Sequence, residues 1–165
     1  MTDQSTNSNR PLSFEPATEA AIEEVWTTRW GTPIVTAIDT YLPADVDGLA
    51  ARDSGGELAG ILTWRIDGTC VELITIDAFP EGARTGSRLL AEAERLLREA
   101  GVLTAVLATA DDNLGAFAFW LHHGFRLVGV ELDAMDGVRE VKPEVPLLGR
   151  DGLPLRDLWR MEKTL

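Results

Sequence analysis

The chain has 165 residues, 45% of them hydrophobic and 25% charged, the length and apolar content of one globular domain with a real core. Its formal charge of -12 argues against nucleic acid as a partner, since phosphate-backbone binding depends on clustered Lys and Arg, and suits an amine or cationic ligand better. No run approaches the roughly 20 apolar residues of a membrane span and the polar start Met1-Thr2-Asp3-Gln4-Ser5 lacks a signal core, so no membrane partner and a cytoplasmic location are expected, which suits the single cysteine, Cys70.

In chain order, residues 1 to 11 are rich in Ser, Thr, Asn and Gln and read as a disordered tail, so the domain is expected over residues 12 to 165. Leu12 to Phe14 suits a short strand before Pro16. Thr18 then reads as the N-cap of a first helix carrying Ala20, Ala21, Ile22, Val25 and Trp26 at helical spacing, with Gly31-Thr32-Pro33 as its stop. The mixed pattern from Ile34 to Asp47 predicts an irregular or short-strand segment. Three strands at short spacing follow, Gly48 to Arg52, Leu58 to Ile66 and Val71 to Asp77, joined by glycine-bearing turns that predict an antiparallel meander.

Leu89, Leu90, Ala93, Leu96, Leu97 and Ala100 form one apolar helical stripe that Gly101 ends. Val102 to Ala108 is a continuous apolar run suited to a central strand covered on both faces. A second such helix runs from Asn113 to His123, with Gly124 where a left-handed C-cap belongs. Phe125 to Leu132 reads as a strand, residues 133 to 144 as room for a short helix, and Arg156 to Thr164 as a final strand. The order predicts a single-domain α/β fold, a mixed α+β sheet with helices packed on its faces.

The informative junction is Ile74-Thr75-Ile76-Asp77-Ala78-Phe79-Pro80-Glu81-Gly82-Ala83-Arg84-Thr85-Gly86-Ser87, a strand passing through a glycine-bearing loop into an amphipathic helix. The first four amides of a helix have no internal partner and carry the positive end of its dipole, so phosphate oxygens are well accommodated there. Gly82 and Gly86 let a ligand come close to the backbone. A purely structural turn has the same local signature. A second segment, Asn113, Ala116, Phe119, Trp120, Gly124 and Phe125, falls in the register N-x-x-A-x-x-F-[aromatic]-x-x-x-G-F.

On these two ordered motifs the sequence resembles the GNAT superfamily of N-acetyltransferases, whose loop R/Q-x-x-G-x-G/A and later N-x-x-A-x-x-F-Y-x-x-x-G-F segment flank a strand in the same way. The resemblance covers Leu58 to Leu132, and the tail Pro146 to Asp157 is similar to a largely uncharacterised bacterial branch. It implies a GNAT-like fold and acetyl-CoA as cofactor. By position, Ile74, Thr75 and Ile76 would offer backbone groups to the pantetheine arm, and Gly82, Ala83, Arg84, Thr85, Gly86 and Ser87 would hold the pyrophosphate, with Asn113 and Trp120 beside the cofactor. The implied activity is acyl transfer to an amine, on a small molecule or a peptide, by direct attack on the thioester; a non-catalytic acyl-CoA-binding module is the alternative. The acceptor is not legible, and homodimerisation stays open.

Three departures stand out. Glu81 replaces the usual Arg or Gln, and Arg84 the first motif glycine, at a cost of about 1 kcal/mol if that position is left-handed. Trp120 occupies the place of the tyrosine that protonates the departing thiolate, and an indole N–H is no practical acid. Glu72 is the candidate general base, expected on the same strand face as Ile74 and Ile76, against a reading as a solvated strand carboxylate. Asp111 and Asp112 are expected to cap the second helix. His122 and His123 suit its C-terminal dipole, and no third residue has metal-ligand spacing. Trp26, Trp64 and Trp159 fall on core patterns, Cys70 is expected in the core, and Trp30 is kept as a cleft residue.

Overall fold

A computed structural model describes residues 10–81 and 84–165, so the expected tail lies outside it over residues 1–9. Strand β1 (Ser13–Pro16) leads into α1 (Glu19–Arg29), where the Thr18 hydroxyl accepts from the Ala21 amide at 3.2 Å as an N-cap should. Gly31 at φ 70° then ends the helix. The segment from Ile34 to Asp47 forms a small hairpin, β2 (Ile34–Val35) and β3 (Thr40–Tyr41), and a short 3-10 turn, Pro43–Asp45. The meander follows as β4 (Asp47–Arg52), β5 (Leu58–Asp67) and β6 (Cys70–Ala78). Then come α2 (Thr85–Glu99), β7 (Thr104–Ala110), α3 (Leu114–His122), β8 (Arg126–Glu131), α4 (Ala134–Val141) and β9 (Leu158–Thr164).

Seven strands form one sheet in the order β1-β4-β5-β6-β7-β9-β8. Every neighbouring pair is antiparallel except β6 and β7. The β7-α3-β8 connection is a crossover between two strands of the same direction that leaves a one-strand gap, and β9 fills it from the far end of the chain. The α2 stripe predicted from spacing is buried: Leu89, Leu90, Ala93 and Leu97 join Leu62, Val71, Leu73, Ala105 and Leu107 in the main core under α2 and α3. Fully burying a leucine is worth about 1.5–3 kcal/mol, so these few side chains fix the helix against the sheet. The opposite face is covered by α1, through Ile22, Val25 and Trp26 against Ile61, and by α4, through Met135 and Val138 against Leu158.

Two sequence expectations need correction. In the β5–β6 ladder Thr63 pairs with Thr75 but Trp64 with Leu73, so Ile74 is an extra residue and forms a bulge. The bulge resets the alternation: Ile74 packs with the α1-side cluster, on the face that carries Glu72, whereas Ile76 packs with the α2-side core. Asp111 and Asp112 do not cap α3. Asn113 does, its Oδ1 accepting from the Ala116 amide at 3.1 Å, while the two aspartates hold the loop before β9: Asp111 accepts from the Arg156 amide, and Asp112 from the Arg150 amide at 2.9 Å.

Candidate active site at the split between two central strands

Strands β6 and β7 pair over three residues only, Cys70–Thr104, Val71–Ala105 and Glu72–Val106. Beyond them β6 runs on to Ala78 and β7 to Ala110 without touching in register, so the middle of the sheet opens into a notch. The bulge at Ile74 sits just past the last pair, and a bulge bends its strand, which gives the split a local cause. Along residues 73–78 the β6 edge facing the notch has no ladder partner, and unpaired backbone amides and carbonyls inside a fold call for one. Ile74, Thr75 and Ile76 lie on this open stretch. Thr75 itself is anchored on the α1 side: its hydroxyl meets Thr63 Oγ1 at 2.7 Å and accepts from the Trp26 indole at 3.0 Å.

At the open end of the notch α2 begins. Arg84 is its N-cap residue, left-handed at φ 56°, ψ 6°, and its side chain is exposed. The first turn of α2 holds no acidic residue and its N-cap makes no side-chain hydrogen bond, so the positive end of the dipole is left for something else. Glu81 is exposed, with its carboxylate 3.1 Å from the Arg29 guanidinium. Gly86 is not required by its backbone or its neighbours, since an added Cβ would lie 3.6 Å from the Phe119 ring, an ordinary contact. Thr85 is buried, and Ser87 Oγ meets His123 Nε2 at 3.0 Å, which ties α2 to the end of α3. Gly82 and Ala83 lie outside the described residues.

At the closed end of the notch stands Glu72. It is 5% exposed, and the Tyr41 hydroxyl donates to its Oε2 at 2.6 Å. Burial raises its carboxyl above the ordinary carboxylate range, the Thr36 and Tyr41 hydroxyls work against that rise, and the charge on Asp39 adds to it. Burial and the same carboxylate also push the Tyr41 hydroxyl upward. A buried carboxylate held by one strong donor, with its pKa raised by burial, has the chemistry of a proton acceptor.

Several contacts around the site were not legible in the sequence. Asp77, on the same β6 face as Glu72, is buried and accepts from the Trp30 indole at 2.9 Å, with the Arg29 guanidinium 3.4 Å away. Trp30, 39% exposed, thus sits beside the notch while being hydrogen-bonded into it. Lys142 is buried and donates from Nζ to the Trp30 and Gly31 carbonyls at 2.8 and 2.9 Å, where the α1 dipole favours a cation. This bond ties the end of α4 to the end of α1. Spacing carries no signal for it, because the partners are more than a hundred residues apart.

The remaining sequence candidates fall as follows. Trp120 is 6% exposed and packs in the main core, edge-on to Phe119 and Phe125. Trp26 and Trp64 are buried, and Trp159 packs edge-on against Phe117. Cys70, expected in the core, is half-buried and lines a cleft with Glu72. His122 and His123 lie at the C-terminal end of α3, where the His123 ring also stacks on Phe119.

The family model described as "Acetyltransferase (GNAT) family" matches residues 15–125. An uncharacterised protein of Bacillus subtilis strain 168, YdhI, is 32% identical over 137 residues, 82% of this chain and 86% of the relative. An IAA acetyltransferase from Bacillus cereus ATCC 14579 superposes with a TM-score of 0.73 at 17% identity, over 94% of this chain and 100% of that one. A GNAT family acetyltransferase from Elizabethkingia anophelis, solved with acetyl-CoA bound, superposes at 0.69 and 16% identity, over 93% and 98%.

Proposed function

Because the chain belongs to the GNAT acetyltransferase family, we propose that it transfers the acetyl group of acetyl-CoA to an amine, with the notch between β6 and β7 receiving the thioester arm. The observation that carries this reading is the split itself: six residues of β6, 73–78, face an open slot whose outer end meets an uncapped helix N-terminus and whose inner end meets a buried carboxylate. An extended ligand with amide groups satisfies the free β6 edge, and a phosphate group suits the first turn of α2. Acetyl-CoA has both features. Arg84 supplies a guanidinium at the phosphate end, and Gly86, which nothing among the described residues requires, keeps the ligand side of the first turn clear.

When bound, acetyl-CoA supplies an activated acyl carbon and a thiolate leaving group. The protein's part is positioning and proton management. Glu72 takes a proton from the acceptor ammonium or from the attacking nitrogen, directly or through a water, as the new nitrogen–carbon bond forms and the carbon–sulfur bond breaks. Tyr41 holds the Glu72 carboxylate in place. Trp120 donates no proton, so the thiolate leaves as such or takes its proton from solvent.

The test is thiol release in the presence of acetyl-CoA and a panel of amines, with melting curves recorded alongside. A ligand that binds only the folded state at 100 times its Kd stabilises it by about 2.7 kcal/mol. Absence of stabilisation by acetyl-CoA sinks the reading. The buried Trp120 favours one other reading, a module that binds acyl-CoA without turnover; stabilisation without thiol release from any amine would select it.

A further inference from the structure

On the α1 face, below the last β6–β7 pair, an open cleft of about 510 Å³ leads from the surface to Glu72 and Val106. Its walls are the β2–β3 hairpin, the 3-10 turn and the adjoining ends of β5 and β6. Glu72 is the group proposed above as the base, and this cleft opens onto it at the closed end of the notch, away from the start of α2. Asp39, Asp45 and Asp67 line the cleft and are exposed, and the only cation lining it among the described residues, Arg65, donates to the Asp45 main-chain carbonyl at 2.8 Å. Glu162, opposite Val106 on β9, adds its charge at Cys70. None of these carboxylates forms an ion pair with a described residue. The charge on Asp39 raises both Glu72 and Tyr41, so the rim is electrically coupled to the floor.

We propose that the acceptor is a small diamine or polyamine, which delivers one nitrogen to Glu72 while a second ammonium rests among Asp39, Asp45 and Asp67. This rests on the acetyl-transfer reading and narrows it. An amine carrying a carboxylate is disfavoured, because it would bring like charge to an acidic rim. The cleft has the volume for a small flexible chain, and its apolar wall, Ile38 and Val106, suits the methylenes between two charged ends. The net charge of the whole chain steers such a ligand in the same sense. Partly exposed ion pairs strengthen binding by about two- to fivefold each, so two or three rim contacts together give about tenfold.

The experiment is calorimetry on the full chain saturated with coenzyme A, with cadaverine, pentylamine and aminohexanoate as probes of matched length. Cadaverine is expected to bind about tenfold more tightly than pentylamine, with aminohexanoate weakest, and added salt should close the gap. The Asp39→Asn/Asp67→Asn variant should lose most of the cadaverine preference over pentylamine. Equal affinities for cadaverine and pentylamine, or a preference that survives the double substitution, overturn the proposal. Thiol release is read separately: selective binding of cadaverine without turnover defeats acetyl transfer but leaves the ligand class standing, and equal turnover of all three amines does the reverse.

Discussion

Arg84→Gly separates the two roles assigned to the N-terminus of α2. Arg84 is held at φ 56°, ψ 6°, a conformation in which an L side chain crowds the following carbonyl at a cost of about 1–2 kcal/mol. Glycine removes that strain but enlarges the unfolded ensemble, which takes back about 0.4–1 kcal/mol. The net gain for the ligand-free protein is about 0–1.6 kcal/mol, which for a chain of this length raises Tm by up to roughly 6 °C. With acetyl-CoA the sign reverses. Loss of a charge-assisted hydrogen bond to a phosphate costs about 1.5–3 kcal/mol, a Kd weakened by roughly ten- to a hundredfold. Melting curves with and without acetyl-CoA, supported by calorimetric Kd values, therefore cross between wild type and variant. Arg84→Asn, which tolerates the left-handed backbone but carries no charge, should follow the glycine variant in affinity. If Arg84→Gly lowers the Tm of the free protein, the strain argument is wrong; if it leaves the acetyl-CoA Kd unchanged, the phosphate role of Arg84 is wrong.

Glu72→Gln should slow amine acetylation by about a hundredfold or more. It should also remove the limb of the pH–rate profile that rises as Glu72 loses its proton, while acetyl-CoA affinity holds. Its stability effect has a defined sign. Burial raises the folded-state pKa of Glu72 above the usual 4.5, so the wild-type fold binds the extra proton and loses stability as pH rises from the unfolded value through the folded one. Melting curves from acid to neutral pH should then show the variant gaining on wild type as pH rises, and a variant that loses ground to wild type over that range contradicts the burial. At Gly149 an added Cβ would fall on the Asp112 carboxylate, 2.6 Å from its Cγ, so Gly149→Ala should cost about 1–3 kcal/mol, measurable by urea unfolding. Lys142→Met strips two charge-assisted bonds from the α1 C-terminus and should cost about 1.5–3 kcal/mol, with a Tm drop of roughly 3–12 °C.

What the sequence determined by itself is what depends on near neighbours. The α2 stripe, the Thr18 cap, the glycine stops at Gly31, Gly101 and Gly124 and the meander of β4 to β6 all follow from spacing or from a residue's own backbone freedom, and each stands in the structure. The strand–loop–helix junction was legible for the same reason, because amides freed at a helix start are a property of the chain within a single turn. Even the left-handed backbone at Arg84 was foreshadowed by its position in a glycine motif. The tertiary structure alone decided the rest. Alternation along β6 placed Ile76 beside Glu72 until the bulge at Ile74, a product of pairing with β5, reset the faces. The acidic pair before α3 looked like a cap and instead holds the loop before β9, Asp112 at the Arg150 amide and Asp111 at the Arg156 amide, partners the chain reaches only after folding. The insertion of β9 between β7 and β8, the Tyr41 hydroxyl on Glu72 and the Lys142 clasp on α1 all join residues far apart in sequence. Local periodicity records which face of an element is apolar, but not which distant side chain will meet a buried charge, and the chemistry of this site rests on such meetings.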